Sequence, residues 1–215
     1  MRFTFYIIVM RYPNLTQERE LWSLGYKTVA GLDEAGRGAW AGPVVAGVAV
    51  LSAETKISGL KDSKLLTPEK REELYSELTA RVDWGVGVIE PKQIDELNIL
   101  RATRLAMKTA IDSLPKSPEF ALLDAVRIGD LSCRQRAVTK GDRKVMTIAA
   151  ASIIAKVTRD RIMNELHTKY PRYGFDINKG YGTKLHQDML AKHGPSPVHR
   201  MSYRPLQDKA IPLFS

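Results

Sequence analysis

The sequence predicts a mixed α/β layer fold. Two observations carry this: short valine-rich apolar runs of strand length bounded by glycine and proline, and longer stretches with apolar residues at helical spacing. Thr28 to Leu32 is the first run and Gly42 to Leu51 (GPVVAGVAVL) the second. Gly36, Gly38, Gly42 and Pro43 lie between them, which reads as two strands joined by a tight turn. Thr67-Pro68-Glu69-Lys70 has the form of a helix start, with Thr67 as N-cap and Pro68 in the first helical position, and the helix runs to about Arg81. Trp84 to Ile89 alternates with glycine as a third strand ending at Pro91. Ile94 to Leu114 carries Leu97, Leu100, Leu105, Ala106 and Ile111 at helical spacing and stops at Pro115. Phe120 to Val126 reads as a buried strand and Cys133 to Thr139 as a fifth strand. Lys144 to Tyr170 is a long helix whose first half, TIAAASIIAKV, is made of small residues and so should lie close against the sheet. Pro171, Gly174, Gly180 and Gly182 interrupt the chain before a last helix around Lys184 to Lys192, and the tail after Pro195 reads as irregular. The order of strands in the sheet does not follow from this pattern.

The chain has 215 residues, enough for one sizeable domain or a domain with a small appendage. A hydrophobic share of 44% and a charged share of 27% fit a globular chain rather than a disordered one. Cys133 is the one cysteine, which excludes an intramolecular disulfide and points to a reducing, cytoplasmic setting. No stretch approaches the roughly 20 apolar residues that span a bilayer, so no membrane partner is expected. The apolar segment Phe3 to Met10 is short for a signal peptide, lacks a small-residue cleavage site and is interrupted by Arg11. Met10 leaves open that the first nine residues come from a misplaced start. The net charge of +9 favours polyanionic partners. Arg127, Arg134, Arg136, Lys140, Arg143, Lys144, Lys156, Arg159 and Arg161 fall in one stretch, either a phosphate-binding surface or an ordinary solvated face.

Four acidic residues stand where metal chemistry would use them. Asp33 and Glu34 follow the first strand, Asp124 lies within Leu122-Leu123-Asp124-Ala125-Val126, and Asp142 follows Gly141 at the mouth of the long helix. Carboxylates among apolar residues are costly to bury unless paired, hydrogen-bonded or bound to metal, and hard oxygen donors suit Mg²⁺ or Mn²⁺. Plainer readings stand beside this: an exposed turn for Asp33-Glu34, a salt bridge for Asp124 and a helix cap for Asp142. In Asp33-Glu34-Ala35-Gly36-Arg37-Gly38, the glycines permit close backbone approach and Arg37 can reach a phosphate.

With their surroundings, these segments resemble bacterial ribonuclease HII, of the type 2 ribonuclease H family. VAGLDEAGRGAWAGPVVAGVAVL (Val29 to Leu51), GLKDSKLLTPEKREEL (Gly59 to Leu74), LLDAV (Leu122 to Val126), KGDRKVMTIAAASIIAKVTRDRIM (Lys140 to Met163), KGYGTKLH (Lys179 to His186) and GPSPVHRMSY (Gly194 to Tyr203) carry the resemblance in order. It implies a ribonuclease H-like fold, a five-stranded mixed sheet flanked by helices with a small C-terminal helical part. Residues 28–170 would form the catalytic domain, 171–215 a substrate-binding helical segment and tail, and 1–27 an N-terminal extension. Asp33, Glu34, Asp124 and Asp142 match the four carboxylates of a two-metal site for Mg²⁺ or Mn²⁺. Gly36, Arg37 and Gly38 match the loop that reads the 2′-hydroxyl, Tyr181 the tyrosine that packs on the sugar at an RNA–DNA junction, and Lys64 a phosphate contact. The implied activity is hydrolysis of RNA in RNA–DNA hybrids and cutting 5′ of ribonucleotides embedded in duplex DNA, by a monomer. The chain departs from the family at Asn178, where histidine is frequent, at Ala125, where glycine is frequent, and at Met146-Thr147, where a serine-containing pair is more usual.

The histidines, His167, His186, His193 and His199, have no zinc-type spacing with cysteine, and His199 reads as structural or phosphate-binding. Two other classes fit the residues poorly. A non-catalytic binding protein of the same fold predicts a disrupted carboxylate set, whereas all four are present. A Mg²⁺-dependent phosphotransferase would need a Gly-x-x-x-x-Gly-Lys-Ser/Thr loop leading into a helix, which is lacking.

Overall fold

The computed structural model describes residues 12–129 and 131–207. The apolar Phe3 to Met10 segment, the question of the first nine residues and the last part of the tail lie outside the described residues. A five-stranded sheet is built from β1 (Val29–Ala35), β2 (Val44–Val50), β3 (Asp83–Ile89), β4 (Phe120–Asp124) and β5 (Arg134–Val138) in the order β3-β2-β1-β4-β5. β1, β2 and β3 pair antiparallel, whereas β4 pairs parallel with both β1 and β5. This is the expected five-stranded mixed sheet, and the pairing supplies the strand order that periodicity could not.

Helices cover both faces. α4 (Ile99–Asp112) packs Ala102, Ala106, Met107 and Ala110 against Ala30, Leu32, Ala46 and Val48 of one face. α5 (Met146–Lys169) and α2 (Pro68–Arg81) close the other, with Ala150, Ile153 and Ile154 meeting Leu74, Leu78 and Ala49. The small residues of α5 have the predicted effect. A Cβ on Gly31 of β1 would sit 2.2 Å from the Thr147 carbonyl carbon, and one on Gly47 of β2 would sit 2.4 Å from the Ala151 oxygen. Helix and sheet touch backbone to backbone, which only glycine in the strand allows.

The sequence expectations need correction in five places. The first strand runs on to Ala35, so Asp33 and Glu34 lie inside it rather than in a turn. The link to β2 is an eight-residue loop, 36–43, not a tight turn. The single helix expected from Ile94 to Leu114 is two, α3 (Pro91–Leu97) and α4, because Asn98 takes φ 67° and its Oδ1 accepts the Leu100 and Arg101 N–H groups as an N-cap. α1 (Thr16–Ser23) was not foreseen within the N-terminal segment. Leu21 of α1 is buried in the core, and Glu18, with no solvent exposure, accepts the Thr147 N–H at 2.8 Å and the Thr147 hydroxyl at 3.0 Å. The departure at Thr147 thus has a partner: α1 caps α5 through it. After α5 come α6 (Phe175–Asn178), α7 (Lys184–His193) and a short α8 (Arg204–Gln207) within the tail expected to be irregular.

Two stability measurements follow. Burial raises the Glu18 carboxyl above its ordinary range, against the lowering effect of its Thr147 hydrogen bonds, and Oε2 has no hydrogen-bond partner among the described residues. A carboxyl raised in the folded state favours folding fully below its unfolded pKa and loses that contribution as pH rises through the folded value. Glu18→Gln keeps an oxygen for Thr147 and should raise the melting temperature at pH 7, with the gain vanishing toward pH 4. Glu18→Ala should cost about 1–2 kcal/mol in denaturant unfolding. Ala125, exposed directly after β4, stands at φ 56°, in the left-handed region. Ala125→Gly should therefore stabilise the chain by about 1 kcal/mol in the same assay.

Candidate active site

The parallel register of β1 and β4 pairs Leu32 with Leu123, which brings Asp33 and Asp124 side by side at the carboxyl ends of the two strands. Asp142 arrives from a 3-10 turn at Gly141–Arg143, held because the Gly141 N–H donates to Asp124 Oδ1 at 2.8 Å. Each of the three offers a carboxylate oxygen within 4.8 Å of the others. The plainer readings of these residues fail. Asp142 does not cap α5, whose N-cap is Val145; Asp124 takes a backbone amide, with no arginine among the described residues paired to it; and Asp33 is 5% exposed. Glu34 stands beside this group rather than in it. Its Oε1 pairs with Arg37 Nη1 at 3.1 Å, and its Oε2 is buried without a hydrogen-bond partner among the described residues.

Such crowding shows in the protonation of the groups. Burial, then the charges of Glu34 and Asp124, hold the Asp33 carboxyl well above the ordinary carboxylate range. Burial raises Asp142 too, with Asp62 and Asp124 adding to it. Glu34 is raised by burial in spite of Arg37. For Lys64, burial would lower the ammonium, but Asp62, Asp33, Asp142 and Asp124 together outweigh it and raise it. A cluster of oxygen donors that repel one another, with a buried and unpaired Glu34 oxygen beside it, fits a hard divalent cation, whose charge would offset the repulsion.

An open cleft of about 590 Å³ adjoins this group and is lined by Glu34, Gly36, Arg37, Gly38, Lys64 and Tyr181, together with Ser63, Ser152 and Lys156. The cleft thus gathers every residue singled out for substrate from segments far apart in the chain. Ser152 of α5 bonds Ser63 at 2.8 Å and supports Asp33, so it links the carboxylates to the Asp62-Ser63-Lys64 turn. Asp62 caps that turn through the Lys64 N–H and pairs with Arg143. Gly36, at φ 90°, is needed by the fold: a Cβ there would lie 1.9 Å from Arg159 Nε. Gly38 has open space where its Cβ would be.

Arg159 and Arg200, both with no solvent exposure, are what sequence reasoning missed. Arg159 of α5 donates to the carbonyls of Pro43, Ala41 and Lys179. Arg200 donates to those of Gly42 and Arg37 and to the Tyr203 hydroxyl, which in turn donates to the Arg37 carbonyl. The Gly36–Pro43 loop is thus held from beneath by two guanidinium groups. Arg159 also lies 5.4 Å from the centre of the Tyr181 ring, which is 38% exposed on the cleft. Asn178 stands in for the frequent histidine by joining the Tyr173 carbonyl to the Gly180 N–H.

The basic stretch corrects one expectation. Arg159 is buried, Arg143 pairs with Asp62, Arg136 with Glu20 and Arg161 with Glu72, which ties elements together, and Lys156 pairs with Asp160 within α5, so much of the stretch does not form a free cationic face. His199 is structural: it bonds His186 inside an aromatic cluster. Charge along the chain could not separate these roles, since partner and burial are set by the fold.

The family model for ribonuclease HII matches residues 30–205. The ribonuclease HII of Desulfitobacterium hafniense is 49% identical over 196 residues, covering 91% of this chain and 75% of that protein. The crystal structure of the ribonuclease H2 from Pyrococcus horikoshii OT3 has a TM-score of 0.71 at 34% identity, covering 84% of this chain and 96% of that one. Bst-RNase HIII, solved in complex with Mn²⁺, shares the fold with a TM-score of 0.69 at 19% identity, over 86% of this chain and 70% of that one. Because the family match runs from the first strand through the cleft to the C-terminal segment that backs it, the chain belongs to the ribonuclease HII family.

Proposed function

We propose that this chain is a divalent-metal-dependent endonuclease that hydrolyses the RNA strand of RNA–DNA hybrids and cuts 5′ of ribonucleotides embedded in duplex DNA, leaving 3′-hydroxyl and 5′-phosphate ends. The observation that carries it is a three-carboxylate cluster next to the cleft that Glu34, the Gly36-Arg37-Gly38 loop and Tyr181 line, in a chain of this family. Asp33, Glu34, Asp124 and Asp142 are the groups that would hold two ions. The all-oxygen donor set, and the manganese in a fold relative, support Mg²⁺ or Mn²⁺. Bound there, a pair of such ions supplies an activated water and stabilises the charge on the leaving 3′-oxygen.

The remaining work falls to the chain. The free space over Gly38, which the fold does not require, leaves room for a sugar edge to approach the loop backbone, where the 2′-hydroxyl distinguishes RNA from DNA. Tyr181 offers a ring face for the neighbouring sugar, and its guanidinium neighbour Arg159 limits how far the ring can tilt. Lys64, drawn toward the carboxylates by their charge, is the group to meet the phosphate beside the cut. Arg37, half-exposed and paired with Glu34, can move to a phosphate once cations relieve that pairing.

Residues 28–170 form the catalytic unit in this reading, 171–215 the substrate-binding segment and 1–27 an extension. The enzyme acts as a cytoplasmic monomer on nucleic acid. No helix among the described residues is long and apolar enough to cross a membrane.

The test is cleavage of a DNA duplex carrying one ribonucleotide, with Mg²⁺ and then Mn²⁺, beside Asp124→Asn. A cut immediately 5′ of the ribonucleotide, reduced at least ~10²-fold by the substitution, is expected. Cutting of all-RNA hybrids alone would remove the junction role of Tyr181. Binding of the duplex without cleavage by the unmodified protein would overturn the enzymatic reading.

A further inference from the structure

His186 and His199 are 0% and 2% exposed and stand among the rings of Trp40, Tyr173 and Phe175. Their Nε2 atoms are 2.9 Å apart. At one end of the pair, His186 Nδ1 lies 3.0 Å from the Tyr181 carbonyl oxygen. At the other, His199 Nδ1 lies 2.9 Å from the Ser196 backbone nitrogen and 2.9 Å from its hydroxyl.

Both ends fix the direction of the bonds. A carbonyl only accepts, so His186 must carry its proton on Nδ1 and donate to Tyr181. A backbone N–H only donates, so His199 Nδ1 must be bare and accept from Ser196. A neutral His199 then has its proton on Nε2 and gives it to the bare Nε2 of His186. The two assignments, made from opposite ends, agree. A further proton on either ring would put two N–H groups face to face, and burial, reinforced by His186, holds His199 down to about 4.

The chain of bonds ends on functional backbone. The Tyr181 carbonyl also accepts the Thr183 N–H at 2.8 Å, while the Tyr181 N–H donates to the Asn178 carbonyl at 2.9 Å. At the far end, His199 bridges to Ala41, the Gly42 N–H donates to Val198, and the Arg200 N–H donates to Trp40. His199 therefore sits on the segment that backs the Gly36–Pro43 loop, and His186 sits on the helix that follows Tyr181. Through the pair, the two sides of the cleft are joined by a hydrogen-bond chain of one polarity.

We propose that His186 and His199 are positioning residues for Tyr181: their one-way pair fixes the Tyr181 peptide relative to the Gly36-Arg37-Gly38 loop, and so sets how strictly the cleft prefers a single ribonucleotide next to DNA over a run of ribonucleotides. This rests on the junction role given to Tyr181 above.

The full chain labelled with ¹⁵N-histidine gives the first readout, at pH 7. The expected spectrum has His186 protonated on Nδ1 and His199 on Nε2. His186 protonated on Nε2 overturns the proposal whatever any variant does. The second readout is the ratio of kcat/KM on a one-ribonucleotide duplex to that on an all-RNA hybrid, for the unmodified protein, His186→Leu, His186→Asn and Tyr181→Ala. His186→Leu, which deletes the donor, should lower the ratio about tenfold, chiefly through KM for the one-ribonucleotide duplex. His186→Asn, which keeps an N–H at the δ position, should restore most of it. Equal loss in the Leu and Asn variants, or no loss in either while Tyr181→Ala lowers the ratio, refutes the positioning role. A Tyr181→Ala ratio like that of the unmodified protein refutes the junction role itself and takes the proposal with it. If the Leu variant does not fold, the Asn ratio against Tyr181→Ala and the ¹⁵N spectrum decide.

Discussion

Arg159 projects from α5 with no access to solvent and meets no carboxylate at hydrogen-bond distance among its described partners; backbone carbonyls take its place. A buried guanidinium is tolerable only if its donors are satisfied, and here Nε, Nη1 and Nη2 each find a carbonyl. The cost appears in the acidity of the group, held down to about 10 by burial, which still leaves it charged at neutral pH. Those carbonyls belong to Ala41, Pro43 and Lys179, so the loop after β1 and the segment before Tyr181 keep their shape because Arg159 requires it of them. Arg200 works from the C-terminal side on Gly42 and Arg37 through Nε and Nη1, while its Nη2 is buried with no hydrogen-bond partner among the described residues. Removing either partner set would leave an unsatisfied charge inside the protein, so loop and arginines stand or fall together.

The carboxylates pose the opposite problem. Asp33, Asp124 and Asp142 are brought together by a strand register and a turn; Lys64 faces all three, and Arg143 also acts against the repulsion at Asp142. The protein bears this because α5 and the sheet are anchored elsewhere. Glycine at positions 31 and 47 lets helix and sheet meet at the backbone, and Glu18 holds the start of α5 from α1. A stable layer of apolar packing thus supports a charged edge that is unfavourable on its own, as expected where local strain is kept for chemistry.

α5 is the element in which these demands meet. Thr147 takes the cap, Ala150 and Ile154 fill the core, Ser152 supports Asp33, Lys156 lines the cleft and Arg159 holds the loop. Successive turns of one helix therefore serve folding, support of the carboxylate cluster and loop shape in order along its axis. Its mostly apolar start reflects burial against sheet and α2; of its polar residues further on, Lys156 lines the cleft, Arg159 backs the loop and Arg161 pairs with Glu72 of α2.

The strands, the extent of α2 from Thr67 and the long α5 were legible in the sequence, because period, N-cap and proline act over a few residues and need no distant partner. Matching blocks around Asp33, Asp124, Asp142 and Tyr181 marked the candidate residues as well. Other features were closed to local reading. Asn98 splits a periodic helix because its side chain caps the second half, which depends on a backbone angle that periodicity does not report. The parallel register that sets Asp33 beside Asp124 joins residues 91 positions apart by sequence number, through hydrogen bonds that either strand could have made with another neighbour. Arg159 sat within a basic run and read as surface, although its side chain is wholly buried. The sequence by itself determined which groups were available and the local form of most elements. Only the tertiary structure decided which of the arginines are buried supports, which acids share a site and which histidines face each other, because charge has no role until burial and a partner give it one.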